Sequence, residues 1–186
     1  MLDPNDCTLF SGGANGAETE FGANAERYGV EEVNFTFEEH QIGRTRGVRV
    51  LTHAELKKGD VSLSYVSSLM HRTYPNTPLF RKVLQTIWYQ VNSGQEIYVI
   101  GTVLADGTVR GGTGWGAEFA KLCNKPLYVF DEEKDSWFSW SGSDWKAQGV
   151  PTITHPHFTG TGTRKIRDNG RAAIEALFTR SFGAVS

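Results

Sequence analysis

Cys7-Thr8-Leu9-Phe10-Ser11-Gly12-Gly13-Ala14-Asn15-Gly16-Ala17-Glu18 runs from a short apolar segment into a glycine-rich turn. From there to Tyr28 the sequence places Ala17, Phe21, Ala25 and Tyr28 on one helical face, the spacing of an amphipathic helix. Gly29 then stands where a helix ends in a left-handed cap, and Val33 to Phe37 reads as a second strand. Strand, glycine turn, helix, strand is the repeating unit of a parallel sheet covered by helices.

The unit recurs along the chain. A helix over about Leu79 to Asn92 carries Phe80, Leu84, Ile87, Trp88 and Val91 on one face. Glu96 to Ile100 is a strong strand signal, and Asp106-Gly107 marks a hairpin turn after it. Gly111 to Gly116 (GGTGWG) then opens a helix through Leu122 that closes at Asn124 and Pro126. Leu127 to Phe130 is the next strand. The polar, tryptophan-rich stretch 131–149 (Trp137, Phe138, Trp140, Trp145) reads as an excursion at a sheet edge. A last strand is expected near Thr152 to Phe158, then the turn Thr159 to Arg164 (TGTGTR), then a helix to about Arg180 with Ile174, Leu177 and Phe178 as its apolar face. The stretch 38–77 is the least regular. It holds an arginine-rich loop (Arg44, Arg46, Arg49) and an alternation through Val61, Leu63, Tyr65 and Val66.

Composition narrows the function classes. The 186 residues fit a single domain, 1–186. A formal net charge of −2 lacks the basic surplus of a general nucleic-acid binder. No apolar run approaches the length of a membrane span, and the N-terminal residues lack a basic region followed by an apolar one; a cytoplasmic protein is expected. Cys7 and Cys123 are not in CxxC spacing and read as reduced, buried thiols. The 21 glycines exceed the usual fraction and cluster in the turns.

Three turns therefore follow strands and precede helices: SGGANGAE, GGTGWG and TGTGTR. In a parallel sheet all three lie at the carboxyl edge, where open α/β folds bind ligands. Helix-initial N–H groups and the helix dipole favour an anion there. Ser11, Gly12, Gly13, Gly16 and Ala17 are the candidate phosphate-binding residues of the first loop. Gly111, Gly112, Thr113 and Gly114 are those of the second, and Gly160, Gly162, Thr163 and Arg164 those of the third. The same glycines would also serve tight βα turns. None of the loops is a dinucleotide fingerprint or a P-loop. The arginine loop could clamp phosphates or be a solvated surface. His155 and His157 lack a carboxylate or cysteine at ligand spacing, so no metal site is expected.

GGTGWGAE resembles the PGGxGTxxE motif of the LOG (lysine-decarboxylase-like) phosphoribohydrolases, with Gly111, Gly112, Gly114 and Glu118 on the motif's glycines and glutamate. Arg110 replaces its proline and Trp115 its threonine, and Thr102 to Arg110 is an insertion. Phe80-Arg81-Lys82 is similar to that family's helical arginine pair. The resemblance thus implies catalytic roles for Glu118 and Arg81, acting as partners. SGGANGAE at the start and TGTGTR at the end resemble, in permuted order, the motifs of YpsA- and YspA-like members of the same SLOG superfamily. The implied fold is a Rossmann-like three-layer α/β sandwich with a mostly parallel sheet and circularly permuted motif order. The implied function is binding of a nucleotide or nucleotide-derived ligand such as an ADP-ribose-like compound. Hydrolysis of a nucleoside 5′-monophosphate, or a molybdenum-cofactor carrier role, are the alternatives. No cofactor is required on this reading. The expected partner is a small nucleotide ligand, and a homodimer is the expected assembly.

Overall fold

The computed structural model describes residues 2–184. An eight-stranded sheet carries the order β3-β2-β1-β8-β4-β5-β6-β7. Its strands are β1 (Thr8–Ser11), β2 (Glu31–Phe37), β3 (Val48–Leu51), β4 (Glu96–Gly101), β5 (Leu127–Asp131), β6 (Ser136–Trp140), β7 (Trp145–Gln148) and β8 (His157–Gly162). All pairings from β3 through β5 are parallel; only the β5–β6 and β6–β7 pairings are antiparallel, with β6 and β7 forming an edge hairpin. The tryptophan-rich stretch is that hairpin.

Period-two alternation builds the two layers. Tyr98 and Ile100 of β4 and Phe130 of β5 point to one face, with Phe158 of β8. There α1 (Ala17–Tyr28) and α6 (Asp168–Phe182) cover them with Phe21, Ala25, Ile174, Leu177 and Phe178. Ile97, Val99, Leu127 and Val129 point the other way. They pack under α3 (Asp60–Leu69), α4 (Pro78–Ser93) and α5 (Thr113–Leu122), which contribute Leu63, Val66, Leu84, Ile87, Val91, Phe119 and Ala120. The result is a three-layer α/β sandwich. A short α2 (His53–Leu56) precedes α3. Gly29 ends α1 at φ 77°, the left-handed cap that its position predicts.

The strand order places the last strand of the chain at the centre of the sheet. Counted with β8 first, the eight strands run 4-3-2-1-5-6-7-8; with the edge strand β3 left out of the count, β2-β1-β8-β4-β5 run 3-2-1-4-5, the order of doubly wound dinucleotide-binding folds. In this chain the central strand comes last.

Two segments differ from expectation. The last strand is not Thr152 to Phe158 but His157–Gly162, so Thr159 to Gly162 of the supposed turn lie within the sheet. Glycine signalled a turn, yet Gly160 is needed for packing: a Cβ there would stand 2.5 Å from the Phe21 ring. The alternation around Val61 to Val66 is helical, as α3. Leu63, Val66 and Met70 are its buried stripe, while Val61 and Tyr65 are 83% and 55% exposed; exposed apolar residues disguised the period.

Candidate functional site

A cleft of about 810 Å³ opens at the carboxyl ends of β1, β8 and β4. All three glycine segments reach it. Gly12 and Ala14 come from the first, Gly111, Gly112 and Thr113 from the second, and Gly162, Thr163 and Arg164 from the third. Leu79, Phe80, Val83 and Ile87 of α4 form an apolar wall, about the mix of apolar lining and few polar groups typical of small-molecule sites.

The glycines divide by task. Gly13 (φ 69°) and Gly16 (φ 101°) need backbone conformations that other residues rarely adopt. Their missing side chains do not face open cleft. At Gly13 a Cβ would stand 3.3 Å from Asn34, and at Gly16 it would run into the Thr163–Arg164 backbone. Ala17 N donates to Thr163 O at 2.9 Å, tying the first loop to the third. Ser11 is likewise structural, its Oγ donating to Gly160 O at 2.7 Å. Gly114 lies inside α5, where a Cβ would meet the carbonyl of Val109 and come within 2.7 Å of Arg72. Of the expected phosphate residues, Ser11, Gly13, Gly114 and Gly160 therefore serve packing.

The helix ends at the cleft differ in what already occupies them. In the first loop the anion is internal: Glu18 Oε2 accepts from Ala14 N at 2.9 Å and Glu18 Oε1 accepts from Thr161 Oγ1 at 2.8 Å. At α6, Glu132 Oε1 accepts from Arg167 N at 2.7 Å. At α5, Gly114 N and Trp115 N donate back to Gly111 O and Gly112 O, while the N–H groups of Gly111, Gly112 and Thr113 have no acceptor among the described residues and no side chain caps the helix. Gly111 (φ 69°) has nothing within 4 Å of where a Cβ would stand. Arg164 and Lys165 line the same cleft and make no ion pair among the described residues. Arg110, also lining it, is held by Glu133 at 2.8 Å.

Glu118 and Arg81 are not brought together. Glu118 is in the second turn of α5, not the first, because the helix already begins at Thr113. It is outside the cleft lining and pairs with Lys121 at 3.1 Å. Lys121 Nζ in turn lies 4.0 Å over the Trp140 ring. Arg81 pairs with Asp60 at 3.4 Å and lies 4.2 Å over the Tyr74 ring. The arginine loop is consumed internally as well. Arg44 donates to Glu32 at 2.6 and 3.1 Å and to Glu26 at 2.8 Å, Arg46 to Glu32 at 2.9 Å, and Arg49 pairs with Glu55. Hydrogen bonds from Thr52 and the Arg49 charge pull the Glu55 carboxyl down to about 2.

Two carboxylates do line the cleft, Glu18 and Glu132, and Glu18 is the one that closes a glycine segment. SGGANGAE and GGTGWGAE both end in Gly-Ala-Glu, and only the first keeps its glutamate in the opening turn of a helix. Burial pushes the Glu18 carboxyl up; the hydrogen bonds from Ala14 and Thr161 and the Arg164 charge pull the other way without cancelling it. His40, on the same cleft, is pushed down by burial and by the Arg164 charge.

A raised folded-state pKa means that the folded protein holds this proton more tightly than the unfolded chain. The associated stability is present below the ordinary value of 4.5 and lost as pH rises through the folded value. Glu18→Gln is therefore expected to gain stability relative to the parent as pH rises from about 4 to 7, the interval that brackets the ordinary carboxyl range. Urea unfolding of both proteins at the two pH values reads this directly, and a pH-independent difference would contradict it.

No family model, curated protein or solved structure matches this chain. Among the described residues no helix is long and apolar enough to cross a membrane.

Proposed function

We propose that the cleft binds a nucleotide or nucleotide-derived ligand, with phosphate oxygens at Gly111–Thr113 beside Arg164 and Lys165, and the base along Phe80, Val83 and Ile87. One observation carries this reading. Of the three glycine-loop helix ends, the first and third have backbone N–H groups bound by the protein's own carboxylates, while at the start of α5 the N–H groups of Gly111, Gly112 and Thr113 have no acceptor among the described residues and share the cleft with Arg164 and Lys165, which make no ion pair there. Backbone N–H groups, a helix dipole and guanidinium are the usual elements of phosphate recognition. The volume suits a mononucleotide or a somewhat larger derivative.

Glycosidic hydrolysis through Glu118 is not favoured by this geometry. The carboxylates lining the cleft, Glu18 and Glu132, are both engaged with backbone or hydroxyl donors.

Calorimetric titration with AMP, ADP, ADP-ribose and phosphate-free adenosine tests the reading. At least one phosphorylated compound is expected to bind with a Kd on the order of micromolar, about −8 kcal/mol, and adenosine at least tenfold more weakly. Glu118→Gln is expected to leave the affinities unchanged. Absence of binding by every compound, or equal binding of adenosine, would overturn it.

A further inference from the structure

At the deep end of the α4 wall lies a polar group that the fold does not use. Gln90 is 2% exposed and lines the cleft. Its amide nitrogen makes one long contact, 3.5 Å to Thr86 Oγ1, and its amide oxygen has no hydrogen-bond partner. A buried amide left in this state costs stability, so its retention calls for a partner supplied from elsewhere. Beside it stands Glu18. A Cβ on Gly12 would lie 2.5 Å from Gln90 Nε2 and 2.8 Å from Glu18 Oε2. Both side chains pack against the Gly12 backbone, which the missing Cβ permits, and all three residues line the cleft, forming a polar niche in its wall.

We propose that Gln90 and Glu18 together recognise the cis-diol of a ribose ring. This rests on reading the cleft as a nucleotide site, and it makes the floor at Gly12 the determinant of ribose over deoxyribose. The niche offers acceptors: the free Gln90 oxygen, and the Glu18 carboxylate, whose oxygens accept protein hydrogen bonds on one side and retain further lone pairs. Two adjacent hydroxyls are the matching donor set, and a carboxylate on a ribose hydroxyl is an established solution in nucleotide folds. The niche shares the cleft with the apolar α4 wall and with the start of α5. A site built to hydrogen-bond a hydroxyl rejects analogues lacking it, because its buried groups are then left unpaired.

The test compares ADP, 2′-deoxy-ADP, IDP and inorganic pyrophosphate by calorimetry on the parent chain and on Gln90→Leu, with thermal unfolding of both proteins. ADP is expected to bind at least tenfold more tightly than 2′-deoxy-ADP to the parent and to lose that advantage in Gln90→Leu, while pyrophosphate binds both proteins alike. The unliganded Leu variant is expected to unfold at the same temperature or higher, because it removes an unsatisfied buried amide; a structural role would lower it. Equal binding of ADP and 2′-deoxy-ADP by the parent overturns this inference and leaves the nucleotide reading standing. Discrimination of ADP from IDP without discrimination of the deoxy compound also overturns it, by assigning the niche to the base. Failure of pyrophosphate and both adenine nucleotides to bind overturns the nucleotide reading and this inference with it.

Discussion

Gly16→Ala lowers the stability of the fold by about 3 kcal/mol or more, while Gly107→Ala costs about 1 kcal/mol. Both glycines have positive φ, 101° and 80°, so each substitution carries a conformational penalty of roughly 1–3 kcal/mol. The surroundings separate them. Nothing lies within 4 Å of a Cβ at Gly107, whereas at Gly16 a Cβ would stand 2.6 Å from the Arg164 Cα and closer still to the Thr163 carbonyl oxygen. Those are backbone atoms and cannot swing aside, so relief requires moving the third loop off the first and breaking the Ala17 to Thr163 hydrogen bond. Equilibrium urea unfolding of the two variants provides the measurement. Equal losses would show that the loops are not braced against each other.

Arg164→Glu weakens ADP binding about 100-fold or more, the loss of a charge-assisted bond plus the introduction of like charge beside phosphate. Arg44→Ala leaves that affinity within about threefold, a difference under 1 kcal/mol, although it removes two of the three arginine hydrogen bonds to the buried Glu32 carboxylate and lowers stability. The contrast follows from where each arginine is spent. Arg44 is 15% exposed and bound to two glutamates, while Arg164 lines the cleft without an ion pair. Parallel titrations at two salt concentrations decide the matter, since the Arg164 contribution is screened with rising ionic strength. An Arg164→Glu variant with parent affinity would remove phosphate from this part of the cleft.

Much of the architecture was legible because it is written in period and punctuation. β4 is buried on both faces and apolar at nearly every position, and α4 holds its stripe from Leu84 to Val91. Gly29 ends α1 and Asp106-Gly107 turns the chain between the bridged Val103 and Val109, as their residue types require. The carboxyl-edge cleft followed from strand–turn–helix order alone.

Three things were not legible, for physical reasons. β8 is Thr-Gly-Thr-Gly in the middle of a sheet, where small residues admit the Phe21 ring and the neighbouring backbone of Ile100; taken alone, such a run reads as loop. β3 is a four-residue strand with three exposed positions at the open edge, too short and too wet to carry a pattern. Most consequential, the two Gly-Ala-Glu segments differ by where their helices begin. A glycine loop can contribute its last residues to the first helical turn, as GGTGWG does from Thr113, and a shift of four residues carries the glutamate from the cleft to the flank. Glu18 and Gln90, seventy-odd residues apart in the chain and adjacent at Gly12, are joined only by the folded sheet.

The place of β8 also bears on how the molecule comes to be assembled. The strand that lies between β1 and β4 is the last of the eight to be synthesised. Until it emerges from the ribosome, β3-β2-β1 and β4-β5-β6-β7 are two separate ribbons, each with an unpaired inner border. Unpaired borders of this kind are templates for association with other chains. Insertion of a strand between them is a non-local event that pays its loop-closure cost late. Nascent chains carrying both borders bare are therefore the form of this protein most in need of protection.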